Sequence, residues 1–112
     1  MQIEVKGRNV PVNDELRELV ERKFRKVAAQ VSDLARMEVE LREERNPAIA
    51  ESQVAAVTLY LKGCTLHAES ASREMPHSIK LCSLELGRQV TRHQDKKRRR
   101  REARSGPPQP AV

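Results

Sequence analysis

The sequence predicts an α+β fold: a β-α-β-β-β-α two-layer sandwich, with a four-stranded mixed sheet carrying two helices on one face. Three observations carry the prediction. Apolar residues alternate at a period of two in four segments, which is the signature of half-buried strands. In two other segments they recur at three- and four-residue steps, one stripe of an amphipathic helix. The order of the six segments lets two helices cover one face of one sheet.

Each element follows from its residues. Gln2–Lys6 sets Ile3 and Val5 against Glu4 and Lys6, a first strand, and Gly7 to Val12 turns the chain. Asn13 is a helix N-cap, with Asp14 and Glu15 in the first turn where the helix dipole favours anions. Leu16, Val20, Phe24, Val27 and Val31 then trace the apolar stripe, supported by the i,i+4 pairs Glu18–Arg22 and Glu21–Arg25. After Ser32-Asp33 the period changes, and Met37, Val39 and Leu41 alternate with Glu38, Glu40 and Arg42 in a second strand. Glu43 to Ser52, charged and with Pro47, reads as a loop or a long hairpin end. A third strand over Gln53–Leu61 and a fourth over Cys64–Ser72 are joined at Lys62-Gly63, where glycine supplies the left-handed conformation of a tight turn.

The last helix begins near Glu74, with Pro76 tolerated in its first turn. Its stripe is Met75, Ile79, Cys82, Leu86 and Val90. No breaker follows until Gly106-Pro107-Pro108, so the helix is expected to run past the body, and Ser105–Val112 to be a disordered end. The helix between the first two strands makes them parallel with a right-handed crossover; the others form an antiparallel meander.

Composition sets the limits. In 112 residues there is room for one small domain and a tail. With no Trp, one Tyr and one Phe, the core is aliphatic. No stretch approaches the roughly 20 apolar residues that cross a bilayer. The opening Met-Gln-Ile-Glu-Val lacks the apolar core of a signal peptide. A cytoplasmic protein with no membrane partner is expected, and Cys82, on an apolar face, is expected to be a buried free thiol. His67, His77 and His93 lack metal-ligand spacing, and neither a Gly-rich phosphate loop nor a nucleophile motif is present. No enzyme, cofactor, metal or small-molecule substrate is therefore expected. Glu38, Glu40, Glu43 and Glu44 read as a solvated strand face, with His67 on the outer face of the sheet.

The charge is placed unevenly. Residues 1–87 hold 13 Lys/Arg and 14 Asp/Glu, a net of −1, whereas residues 88–112 hold nine and two, a net of +7. A neutral domain with a cationic end points to an anionic partner. Arg88, Arg92 and Lys96 are spaced at four residues and stack along one helix face; Lys97, Arg98, Arg99, Arg100 and Arg101 surround it with charge. Six consecutive cations from Lys96 repel one another without an anion, which favours nucleic acid over a solvated tail, an import signal or a membrane anchor. The scarcity of aromatics disfavours base stacking on a single strand and favours readout of backbone and shape in helical RNA. Arg22, Lys23, Arg25 and Lys26 on the first helix either extend this face or pair with neighbouring glutamates.

Residues 1–97 also carry motifs of a known family. These are Ile3-x-Val5-x-Gly7-Arg8-Asn9-x-x-Val12, Leu16-Arg17-Glu18-x-Val20-Glu21-x-Lys23 and Leu59-x-Leu61-x-Gly63-x-Thr65-Leu66-x-Ala68-Glu69. Met75-x-x-x-Ile79-x-Leu81 and Leu86-x-Arg88-Gln89-Val90 follow. In order and spacing the chain resembles the short form of the ribosome hibernation promoting factor and ribosome-associated translation inhibitor family. The resemblance implies the β-α-β-β-β-α fold and a non-enzymatic factor that binds rRNA in the mRNA/tRNA channel of the small ribosomal subunit. Such a factor inhibits translation and protects idle ribosomes under stress or in stationary phase.

Carried over, the RNA-binding positions are Arg88, Arg92 and Lys96, with Lys97 and Arg98 beyond and Arg22, Lys23 and Lys26 as secondary contacts. Charge alone adds Arg99, Arg100 and Arg101. The chain departs from many relatives at Glu74-Met75-Pro76 and Lys80, where they have Asp-Met-Tyr and an aspartate. The expected organisation is a ribosome-binding domain over 1–97 and a basic helical extension with a disordered tail over 98–112. Two alternatives remain: a free-standing regulator that binds structured RNA, and a protein-interaction module that binds an acidic transcription-factor partner.

Overall fold

Six elements form in the expected order in a computed structural model that describes residues 2–31, 34–46 and 48–105, and for 100–105 the helical backbone. They are β1 (Gln2–Arg8), α1 (Asp14–Ala28), β2 (Arg36–Glu43), β3 (Gln53–Leu61), β4 (Cys64–Ser72) and α2 (Met75–Ser105). The sheet order is β1-β2-β3-β4; β1 and β2 are parallel, and the other two pairs are antiparallel. This is the α+β, mixed-sheet sandwich that the periodicities predict.

The register separates the two faces of the sheet. Met37 pairs with Leu59, and Leu59 with Leu66; Val39 pairs with Val57, and Val57 with Ala68. These residues face the helices, and all but the half-buried Leu66 are buried with Val20, Phe24 and Val27 of α1 and Ile79, Cys82, Leu86 and Val90 of α2. The core is aliphatic but for Phe24. The opposite face bears Glu38, Glu40 and Arg42 beside Thr58, His67 and Glu69, and no helix covers it.

Local chemistry fixes the ends of the elements. The Asn13 side chain accepts from the Leu16 N–H at 2.8 Å, the N-cap expected for α1. Gly7 is required by close approach, because a Cβ there would lie 2.3 Å from the Val10 carbonyl oxygen. Gly63 takes a φ of 76° in the β3–β4 turn.

At the head of α2, the buried Ser78 hydroxyl donates to the Gln53 carbonyl at 2.6 Å and lies 2.6 Å from the Ser72 hydroxyl. Ser72 in turn donates to the Glu74 carbonyl at 2.7 Å. This knot ties the start of α2 to both β3 and β4, so the direction of the helix is set before its basic end begins.

Several boundaries differ from the expectation. β1 continues to Arg8 and β2 to Glu43, and α2 starts at Met75. α1 stops at Ala28, so Val31 is not on the helix. Past it, Gln30 N–H bonds Val27 and Val31 N–H bonds Ala28, i→i−3 bonds that tighten the last turn. Val31 still packs on the core from the turn. The pairs Glu18–Arg22 and Glu21–Arg25 do not close: exposed i,i+4 pairs gain little in water, and these side chains stay apart. Ser105, expected to begin the disordered end, closes α2 instead, and the rest of that expected end, 106–112, lies outside the described residues, as do Ser32, Asp33 and Pro47.

Candidate nucleic-acid interface

The basic residues are positioned by how firmly the body holds α2. Among the described residues Val90 is its last fully buried one. The Gln89 side-chain amide donates to the His67 carbonyl of β4 at 2.7 Å, and the Gln94 amide donates to the Gln30 carbonyl after α1. No side chain of α2 past Gln94 reaches the body through a hydrogen bond among the described residues. Eleven more residues of helix, Asp95 to Ser105, carry the charge about 16 Å further at 1.5 Å per residue.

Where α1 and α2 run side by side, a groove of about 620 Å³ opens between them. Lys23 and Lys26 line it from α1; Lys80, Arg88 and Arg92 line it from α2. Its floor is apolar: Val27, Leu84, which is 52% exposed, and Gly87. A Cβ at Gly87 would meet only a Val27 methyl, at 3.9 Å, so packing does not demand glycine there.

Among the described residues, Lys23, Lys26, Lys80 and Arg92 form no ion pair; Arg88 meets Glu85 at 3.4 Å with its side chain 72% exposed. Pairing of the α1 cations with neighbouring glutamates, one of the two readings left open by the sequence, is thus not what the fold adopts. Such a groove can take the phosphates of a polyanion: unpaired ammonium and guanidinium groups supply donors and charge, and an apolar floor accepts sugars.

The structure divides the residues singled out from sequence. Lys23, Lys26, Arg88 and Arg92 come together in the groove, whereas Arg22 is exposed on α1 outside it. Lys96 does not share their face. A four-residue step advances about 40° around a helix, and by Lys96 the stripe has turned toward β4. There Arg92, His93, Lys96 and Arg99 line a second recess with Cys64 and Leu66. Arg92 belongs to both recesses. Lys97 and Arg98 face the end of α1 and the β3–β4 turn, and Arg98 pairs with Asp95 at 3.3 Å. The side chains of Arg100 and Arg101 lie outside the described residues.

Sequence reasoning missed Lys80 as part of the groove, although it stands two four-residue steps before Arg88 and continues the same series. It placed Lys62 in the β3–β4 turn but not beside α2, because nothing in the sequence brings a hairpin tip against a helix.

Outside this region several charged side chains pair with one another. On the open sheet face, Arg42 meets Glu40 at 3.8 Å, Glu44 at 3.4 Å, and Glu69; Arg36 meets Glu38 at 3.8 Å and stacks over Tyr60. Glu38, Glu40 and Glu44 are thus engaged in pairs rather than merely solvated. His67, on this face as expected, has Nδ1 3.1 Å from the Thr58 hydroxyl. Cys82 is a buried free thiol, pushed up to about 12 by burial and by the Glu69 and Glu85 carboxylates. No three of His, Cys, Asp and Glu are grouped to hold a metal among the described residues, and no described helix is long and apolar enough to cross a membrane.

Fold and groove together define a class: a small two-layer sandwich whose paired helices present a cationic cleft. The chain belongs to the family described as Sigma 54 modulation protein / S30EA ribosomal protein, whose model matches residues 3–98. It is 32% identical over 96 residues to the ribosome hibernation promoting factor of Salmonella typhimurium, covering 86% of this chain and 96% of that one. To the Escherichia coli K12 protein of the same name it is 30% identical with the same coverage. Among solved structures, a ribosomal subunit interface protein from Coxiella burnetii superposes with a TM-score of 0.73 at 20% identity, over 85% of this chain and 99% of that one. The N-terminal domain of Protein Y from Thermus thermophilus gives 0.70 at 23%, over 83% and 99%. At these identities the two structures speak for the fold.

Proposed function

We propose that this protein is a ribosome hibernation factor that binds rRNA of the small ribosomal subunit in the channel used by mRNA and tRNA. Bound there, it excludes those substrates, inhibits translation and shields idle ribosomes under stress or in stationary phase. The observation that carries the reading is the α1–α2 groove, in which four unpaired cations and Arg88 converge over an apolar floor. Membership in a family whose relatives bear the hibernation name supports the choice of RNA.

No bond is made or broken in this mechanism. Lys23, Lys26, Lys80, Arg88 and Arg92 neutralise phosphates and release their counterions; affinity is electrostatic and shape-based. The helix α2 is continuous, and the proposed division sets a ribosome-binding domain to residue 97 and a basic extension beyond it. The extension adds phosphate contacts to a site the body defines, and the factor acts in the cytoplasm.

Sedimentation with bacterial ribosomal particles at low salt tests the proposal. The chain is expected to migrate with small subunits or whole ribosomes, and a truncation after Arg92 to migrate with them more weakly. A chain that stays at the top of the gradient overturns the ribosome reading.

A further inference from the structure

Where α2 leaves the body, beyond the groove, the helix meets an element that takes no part in that groove. The β3–β4 turn brings Lys62 against the last part of α2, and a recess of about 370 Å³ opens between Lys62, Gly63, Cys64, His93, Lys96 and Lys97. Among the described residues no carboxylate lines it. Among the described residues, Lys62, Lys96 and Lys97 form no ion pair, and the one acid on this stretch of helix, Asp95, is engaged by Arg98.

The turn is held by the paired strands on either side, with Leu61 opposite Cys64 and Gly63 supplying the positive φ. Lys62 is therefore presented from a fixed support. Nothing in the packing asks for lysine there: the residue is exposed, and the backbone demand of the turn falls on Gly63. Three ammonium groups drawn to one recess repel one another unless an anion occupies it.

The geometry points to a second phosphate-binding recess at the hairpin tip, in which Lys62, Lys96 and Lys97 hold a second backbone segment of the RNA seated in the α1–α2 groove. This rests on the RNA reading of that groove and names the class of RNA. Arg92 lines both the groove and the recess beside β4, where Asp95 also lies but is paired with Arg98, so the ridge of α2 stands between two tracks in which basic residues outnumber acids. Paired RNA offers two backbones to such a ridge; a single strand offers one. The preferred target is therefore a helical RNA element gripped on both strands, with the hairpin tip on the second.

Fluorescence anisotropy on the full chain, with a short RNA duplex and one of its strands alone, tests this. Lys62→Ala is expected to weaken duplex binding roughly tenfold, the scale of one charge-assisted hydrogen bond. It should also lower the slope of log affinity against log salt by about 0.9. Single-strand binding should stay within about twofold, and Lys62→Arg should restore the duplex. Lys6→Ala, on the open sheet face opposite Glu40, should change neither. If Lys62→Ala binds duplex with unchanged affinity and slope while Lys26→Ala is weakened, the second recess is overturned and the groove stands. If Lys26→Ala is also unchanged, the RNA reading and this inference fall together.

Discussion

The two exposed faces of the sandwich both carry basic residues and hold them in different physical states. On the open sheet face Arg42 is matched by Glu40, Glu44 and Glu69, and Arg36 by Glu38 and the Tyr60 ring. On the helix face Lys23, Lys26, Lys80 and Arg92 converge on one groove and, among the described residues, pair with no carboxylate. Matched pairs at a surface contribute little and ask for nothing further. Unmatched cations held together by a rigid scaffold repel one another until a polyanion arrives, and they gain from it more than a flexible tail would, because their positions are already fixed. Charge count alone would not tell the two faces apart.

Reversing the charge of the groove strikes hardest at this difference between the faces. Lys26→Glu with Arg92→Glu is expected to lower affinity for small subunits on the order of 100-fold, about tenfold for each charge-assisted hydrogen bond removed. The thermal midpoint should stay within a degree or two of the parent, since both side chains are exposed. A variant that binds like the parent would make the helix face no different from the sheet face.

The core beneath both faces gives the next effect. Cys82 has its thiol raised from 9.0 to about 12, chiefly by burial. The folded state therefore favours the protonated thiol, and this contribution is complete below pH 9. Above that the unfolded chain ionises first, so stability should fall by roughly 1 kcal/mol per pH unit as pH climbs from 9 toward 12. Denaturant midpoints measured across that window should show the decline, and Cys82→Ala should flatten it. In the native protein a thiol reagent should modify Cys64, which is half-exposed, well before Cys82.

Smaller effects sharpen the contrast. Arg42→Ala removes the hub of the sheet-face network and should cost about 1 kcal/mol or less by chemical denaturation. Its affinity for small subunits should not change. Gly87→Ala should stabilise α2 by about 0.5–1 kcal/mol, because the new methyl group meets only Val27 at an ordinary distance. Binding should stay within about twofold, as the groove keeps its cations.

How much of this was legible in the sequence depended on how local the cause was. The strands and both helices were readable because alternating and 3.6-residue periods are local, and the Asn13 cap and the Gly63 turn follow from single residues. The end of α1 was not, because Val31 keeps the apolar period after the backbone has tightened into i→i−3 bonds. Nor was the Ser72–Ser78 knot, since it links residues whose partners lie on other elements.

At the site, Arg88, Arg92 and Lys96 read as one stripe at four-residue spacing. The helix repeat of 3.6 turns that stripe, leaving Arg88 and Arg92 with Lys23 and Lys26 and carrying Lys96 to the hairpin side. Lys80 and Lys62 join through helix pairing and strand register, neither of which a charge run reveals.

On the proposed function, fixed and unpaired cations on the helix face bind RNA by neutralising its phosphates. The most direct test is the affinity of the chain for purified small subunits as salt is raised from about 50 to 200 mM. With six or more phosphate contacts affinity should fall roughly 10³-fold or more, along a straight line of log affinity against log salt. Tight binding that stays flat across that range would contradict it.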